Sequence, residues 1–463
     1  MPGSRALAVT LVASASVGGA ICATVCAPGN VRADGMVVVG GSPRAVGRAG
    51  ADTVGDDGGG ALLVDPAALA RRDVARVQVG LSFIDDNVTW QPDDVGAPVA
   101  RGQIGSIAVP LVAFELGVGD WVIGVGGMTA AVSDRSLTRP DLPPTAFGTQ
   151  FEYRYAGLGG GVRRDTLTGG AARRLGDEVA VGFALGASRV QVAETRDVWA
   201  GFAGIHPHLG DPRDDITLAL TGEDRFVPSA VGGLMLAPED TPLELAVSVS
   251  WSGPARLEAD VASAETEGGP RVARLTPHAK LDLAQPWTIR TGARYAGERW
   301  IAELDGDLWV FPSTASHETW SISGILVQSR AVEVHLTDLP SRLAPKTHGA
   351  VRGAVDFALM PGFLWLTAGY AVTTPGTGGS RLSPTFADLG GHTFAFGLEA
   401  NAGGLTVTLG VSRTYALAQH PDRSDFRLDN PFNASDTTIP LGSYGGTTTQ
   451  VGVLIDAELG GSK

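Results

Sequence analysis

The stretch Gly404-Leu-Thr-Val-Thr-Leu-Gly-Val-Ser-Arg-Thr-Tyr-Ala416 decides the fold class. Leu405, Val407, Leu409 and Val411 alternate there with Thr406, Thr408, Gly410 and Ser412. Successive strand side chains point to opposite faces, so one face is apolar and the other small or polar. The same period runs through Val77, Val79, Leu81 and Phe83, and through Val451, Val453, Ile455, Ala457 and Leu459. Working outward from these runs, fourteen segments are legible. They lie near 74–84, 104–116, 119–132, 152–174, 177–194, 216–237, 241–257, 278–296, 299–312, 347–359, 362–374, 391–401, 404–416 and 446–459.

The connections sort into two kinds. Short turns near 117–120, 175–178, 238–241, 297–298, 360–362 and 401–403 alternate with long polar loops. The long loops run near 85–103, 133–151, 195–215, 258–277, 313–346, 375–390 and 417–445. An even strand count with short turns at one end and long loops at the other marks a transmembrane barrel of the bacterial outer membrane. The expectation is therefore an all-β chain, a 14-stranded antiparallel transmembrane β-barrel. Membrane helices need about 20 continuous apolar residues, and nothing beyond the N-terminal stretch approaches that. Only a closed barrel satisfies every backbone group of such strands in lipid. By the alternation, Arg76, Arg290, Arg294 and Arg352 face the lumen with Glu244, Glu303, Asp305, Asp307, Asp356, Asp456 and Glu458. Charges withdrawn from water need partners, so an ion-pair network is expected.

Composition agrees. Glycine supplies 64 of 463 residues, roughly double the usual share near 7%. So much Gly in helix interiors would cost about 1 kcal/mol per site, and the absence of a three-residue period excludes collagen. The net charge of −14 argues against a nucleic-acid partner, which needs a basic stripe.

At the N-terminus, Arg5 precedes an uncharged stretch, 6–31, rich in Ala, Val, Ser and Gly. These are the parts of a secretory signal, with a cut after Ala27 or after Ala33. Residues 1–33 are read as a cleaved signal peptide. Both cysteines, Cys22 and Cys26, precede either cut, so the exported chain would have no disulfide, thiolate nucleophile or cysteine metal site.

The run G-S-P-R-A-V-G-R-A-G-A-D-T-V-G-D-D-G-G-G-A-L-L-V-D-P-A-A-L-A-R, Gly41 to Arg71, resembles the N-terminal hatch of FadL/TodX-type outer-membrane transporters. That hatch ends in an Asn-Pro-Ala motif, whose place is taken here by Asp65, Pro66 and Ala67. Phe226 to Trp251 is similar to the family's Pro-containing strand, turn and returning strand. Leu281 to Phe311, with Pro286 before Trp287, follows its eighth and ninth strands. One departure is the end, Leu459-Gly-Gly-Ser-Lys463, where outer-membrane barrels often finish on an aromatic.

The resemblance implies a plug at 34–73 inside a barrel at 74–463, in the outer membrane. It also implies passive uptake of long-chain fatty acids or hydrocarbons, with a capture groove among outer loops and a lateral exit at a kinked third strand. Such a protein meets outer-membrane lipid and lipopolysaccharide, needs no cofactor, and is expected to be a monomer. Val198, Trp199, Phe202 and Ile205 are the capture candidates, an apolar cluster in a segment read as an exposed loop. Gly124, Gly126 and Gly127 are the kink candidates, since strand glycines often mark a bend. Arg290 or Arg294 would meet a ligand carboxylate. Asp65, biased to an extended or turn conformation by Pro66, would accept backbone N–H bonds as an Asn carbonyl does.

An enzyme reading needs a nucleophile and a base in reach. His278 and His392 are the strand histidines, yet nothing ties either to a nucleophile, and G-x-S-x-G is absent from the sequence. His206 and His208 with Asp211, Asp214 and Asp215 have donor types suited to a divalent ion, but the spacing is unspecific and a solvated loop accounts for them better. Gly58–Gly60 and Gly159–Gly161 lack the Lys-Ser/Thr context of a phosphate loop. A secretion or surface-attachment scaffold is the remaining alternative.

Overall fold

The alternation of 404–416 becomes the penultimate strand of a closed antiparallel sheet in a computed structural model. It describes residues 40–72, 74–91, 100–101, 106–137, 153–201, 211–329, 332–377, 382–421, 428–432 and 442–459. Fourteen barrel strands result. They are β1 Ala75–Gln91, β2 Ile107–Val118, β3 Trp121–Ser136, β4 Gly159–Leu175, β5 Val179–Trp199 and β6 Asp215–Leu236. Next, β7 comprises Leu243–Ser252 and Ala255–Glu265, β8 Arg271–Leu283 and Trp287–Ala296, and β9 Trp300–Val310 and Thr319–Ser329. β10 comprises Val332–His335, Asp338–Pro340 and His348–Met360. β11 Leu364–Thr373, β12 Gly391–Ala402, β13 Leu405–Ala416 and β14 Ser443–Leu459 complete the set. Pairing of β1 with β14, from Ala75↔Leu459 to Gln91↔Ser443, closes the barrel and leaves no free edge.

Outward positions around the wall are apolar. Val79, Phe83, Phe114, Ile123, Leu185, Leu304, Phe357, Phe396, Leu409 and Ile455 are all exposed. In water such a surface would drive aggregation; here it is the band that faces lipid. No helix among the described residues is long and apolar enough to cross a membrane.

Two expected long loops are strands instead. Residues 258–265 and 271–277 continue β7 and β8 with only a short turn between them, and 319–329 with the first pieces of β10 fill most of 313–346. The reason lies in a reversal of polarity. Below the break at Gly253-Pro254, β7 buries Ala246 and Ser248 and exposes Val247, Val249 and Trp251. Above it, Ala255, Leu257, Ala259 and Val261 are buried, while Arg256, Glu258 and Asp260 face out. The outside changes from lipid to water at this height, so the alternation inverts and its charged half reads as loop. Leu257, Leu281, Trp320, Ile322 and Val327, from the extended parts of β7 to β9, share one buried apolar cluster with Val192 and Leu218 of β5 and β6. The barrel thus continues above the break with its apolar residues turned inward.

Residues 40–72 run inside the barrel. They form a short helix α1, Pro43–Val46, and two 3-10 turns, Gly59–Leu62 and Pro66–Arg71. Ala45, Ala49, Ala51, Val54, Leu62, Ala67 and Leu69 are fully buried. The glycine excess now has a place. A Cβ on Gly410 would lie 2.5 Å from Gly47 N, and one on Gly369 2.5 Å from Arg48 C. Gly182 stands against the Pro66 backbone in the same way, while Gly233 makes room for the Asp65 carboxylate. The wall strands therefore touch the inner segment backbone to backbone.

Candidate functional site

Ion pairs clamp the inner segment to the wall. Arg48 reaches the Glu303 carboxylate at 2.6 Å and that of Asp356 beside it, all three buried. Glu303 also accepts the backbone N–H groups of Val54 and Gly55 at 2.8 and 2.9 Å, and Asp305 accepts that of Thr53 at 2.9 Å. Arg352 pairs with Asp307 at 2.7 Å and donates to the Ala49 carbonyl at 2.9 Å. Buried carboxylates at alternate strand positions are thus answered by the inner segment's N–H groups and its arginine.

Asp65, Pro66 and Ala67 open the second 3-10 turn. The Asp65 carboxylate accepts the Ala67 N–H at 3.0 Å, capping the turn, and Pro66 occupies the first helical position, where its missing N–H costs nothing. Burial raises the Asp65 pKa to about 7.

The inner segment separates two cavities. The upper one, about 310 Å³, has Gly41, Asp52, Leu63 and Val64 as its floor, and Ala387 to Gly390 on its outer side. Trp309, Phe311, Val231 and Pro286 supply apolar wall; Trp309 stacks on His348 with centroids 4.3 Å apart. A buried cluster containing Trp90, Tyr153, Tyr155, Trp199, Leu389, Leu428 and Tyr444 adjoins the cavity at Ala387 and Leu389. Asp388, between those two residues, has its pKa raised to about 7 by burial. The lower cavity, about 470 Å³ beside the short turns, is polar and includes Arg44, Asp57, Arg72, Arg294, Glu399 and Glu458.

Four arginines reach the upper cavity. Arg135 pairs with Asp86 at 2.7 Å, and Arg352 with Asp307. Arg290 lies 3.8 Å from Asp307 and donates to the Leu63 carbonyl at 3.4 Å. Arg164 has no acidic partner among the described residues. It donates to Ser188 Oγ at 2.9 Å, Ser252 Oγ at 2.8 Å and Gln285 Oε1 at 3.3 Å. Arg164 is not marked out in the sequence, because nothing in the adjacent Arg163-Arg164 indicates which one lacks a carboxylate. Arg163 holds Asp165.

The expected residues fall variously. Arg290 lines the upper cavity, whereas Arg294 lines the lower one and pairs with Glu244 at 2.6 Å. They do not share a site. Val198 and Trp199 do not form an exposed loop patch: β5 extends through them, and both are fully buried. The strand runs further because its upper part lies against the apolar cluster rather than water. Phe202 and Ile205 lie outside the described residues, as do His206 and His208. Gly124, Gly126 and Gly127 are in regular register with β2 and β4, so no kink falls on them. The irregularity of β3 lies between Thr129 and Ala131, and Ala130 and Ala131 line the upper cavity. Gly124 and Gly126 face Leu62 of the inner segment and make room for it. His392 bonds the Tyr370 hydroxyl at 2.8 Å on the outer surface, and His278 stands opposite Asp260 in the β7–β8 ladder. Asp215 is held by Arg154 and Tyr155, and Asp211 by Arg213. Among the described residues no group of three or more His, Cys, Asp or Glu is arranged to hold a metal ion.

Fourteen strands closed around residues 40–72, with an amphipathic cavity on one side of that segment, define the fold class. Solved structures place it more narrowly. The chain is similar to a FadL homologue of Pseudomonas aeruginosa, at 13% identity over 91% of this chain and 98% of that one, with TM-score 0.66. It is similar to the toluene transporter TodX of P. putida, at 14% identity over 91% and 99%, with TM-score 0.65. A third is the toluene transporter TbuX of Ralstonia pickettii, at 12% identity over 91% and 99%, with TM-score 0.63. No family model matches, and no curated protein matches. The fold is the FadL/TodX-type barrel.

Proposed function

We propose that this protein is a passive outer-membrane channel for hydrophobic compounds, and that its cargo is an amphipathic acid such as a long-chain fatty acid. One observation carries the choice of an acid: Arg164, half-buried at the cavity, has hydroxyl and amide partners but, among the described residues, no carboxylate. A guanidinium withdrawn from water gains most from an anionic oxygen. Trp309, Phe311 and Val231 offer apolar surface beside it for an acyl chain.

In this reading residues 1–33 are an export signal, 34–73 are a hatch, and the barrel from 74 onward spans the outer membrane, with lipopolysaccharide around it. The hatch blocks an aqueous path while the upper cavity holds the ligand. The β3 irregularity at Ala130, beside the cavity, is the favoured place for lateral exit. The chain works as a monomer, and no cofactor or catalytic group takes part.

The test is binding to detergent-purified protein. Radiolabelled oleate should bind with saturation, and cells lacking the protein should lose oleate uptake. Equal binding of toluene and oleate, unaffected by Arg164→Gln, would overturn the acid reading.

A further inference from the structure

We infer that the wall between β7 and β8 contains a lateral window, through which a single-chain anionic amphiphile enters the upper cavity from the outer leaflet. This rests on the transport reading above and adds the route of entry.

The ladder between these strands is interrupted. Its lower part ends at Ser250↔Thr288 and its upper part begins at Ala255↔Leu283. Between them Trp251–Pro254 faces Ala284–Trp287, and no backbone hydrogen bond joins the two stretches. Pro254 and Pro286 have no N–H to offer. The Gly253 N–H turns instead to the Pro228 carbonyl of β6 at 2.8 Å, and the Ala284 N–H to the Glu318 carboxylate at 2.6 Å. Unpaired backbone is expensive in hydrocarbon. It sits here at the height where outward residues change from apolar to charged, so the gap lies at the lipid–water boundary.

The cavity extends to this gap, since Trp251, Ser252, Gln285 and Pro286 line it. Outside, Trp251, Trp287 and Phe226 are exposed by 37%, 52% and 69%. Aromatic rings at that height suit the membrane interface and flank the opening. Inside, Arg164 bonds both edges, through Ser252 on β7 and Gln285 on β8.

A single-chain amphiphile in the outer leaflet holds its carboxylate at the boundary and its chain below. Its carboxylate meets the Arg164 guanidinium directly across the gap. Bonding to it replaces the weaker hydrogen bonds to Ser252 and Gln285, which frees the two edges as the ligand arrives. The chain then follows past Trp251 and Pro286 into the cavity. This route is four strands away from the β3 irregularity, so entry and exit are separate.

The test uses the full exported chain in proteoliposomes, with cysteine placed at Gly253 and modified after folding. A bulky maleimide on Gly253→Cys should slow uptake of outer-leaflet oleate by about tenfold, while a small methylthio group leaves it nearly unchanged. The same maleimide on Leu304→Cys, facing lipid elsewhere, should have no effect. Equilibrium oleate binding in detergent should persist in every form. Undiminished uptake with the bulky label at Gly253 would overturn the window and leave the transport reading standing. Failure of unmodified protein to bind oleate would overturn both.

Discussion

Arg164 Nη2 donates to the Ser252 hydroxyl at 2.8 Å, and among the described residues no carboxylate answers this guanidinium. Elsewhere in the lumen Arg48, Arg76 and Arg352 each have an acid within 2.7 Å. An arginine left with hydroxyl and amide partners retains unspent capacity for an anion. Arg164→Gln should lower oleate affinity by about 10- to 100-fold, the weight of a hydrogen bond to a charged group. Toluene affinity should stay the same. Equilibrium binding of both ligands checks this, and an equal loss for both would point to a collapsed cavity instead.

Arg48 holds the inner segment to β9 and β10 through Glu303 and Asp356. Removing one partner of a buried pair costs about 3–5 kcal/mol because the remaining charges stay unpaired. Arg48→Ala should therefore loosen residues 40–72 while the barrel stays folded. Limited proteolysis of the refolded variant should cut within the segment, and unchanged resistance would place the anchoring elsewhere.

Gly182 meets Pro66 so closely that any side chain would overlap backbone. Gly182→Val should displace the second 3-10 turn, at about 1–3 kcal/mol or more. The expected readout is a larger single-channel conductance in planar bilayers. A conductance equal to that of the parent protein would mean this turn does not block the lumen.

Asp65 connects pH to the inner segment. Burial raises its pKa to about 7, above the unfolded value near 3.9. The folded form therefore binds the proton more tightly, so stability is full below about pH 4 and declines as pH rises toward 7. Asp65→Asn keeps an acceptor for the Ala67 N–H and should abolish that decline while preserving uptake. Pro66→Leu should impair uptake, since the turn loses its fixed first residue. Melting curves between pH 5 and 8 and labelled-oleate uptake decide; a parallel decline in Asp65→Asn would assign it to other groups.

Much of the barrel was legible because a strand's period is local. Leu405 to Ser412 shows which face is apolar without reference to any partner, and the tight turns at 117–120 and 401–403 show where strands reverse. The lumenal set from Arg76 to Glu458 followed from the same parity. Legibility failed where polarity reversed. Glu258, Asp260 and Glu265 suggested a loop from 258 onward because nothing local says that lipid ends at Gly253. Trp199 suggested an exposed patch because the cluster that buries it gathers Trp90, Tyr153, Leu389 and Tyr444 from distant parts of the chain.

By itself the sequence determined the strand parity, the turn side, the glycine that lets an inner segment approach the wall, and Asp65-Pro66 as a turn start. All of these depend on residues within a few positions of one another. Only the tertiary structure decided that Arg164 stands without an acid among the described residues, that Arg290 and Arg294 lie on opposite sides of the inner segment, and that the β7–β8 ladder is interrupted beside the cavity. Partner, height and pairing are relations between residues far apart in sequence, and only closure of the sheet brings them together.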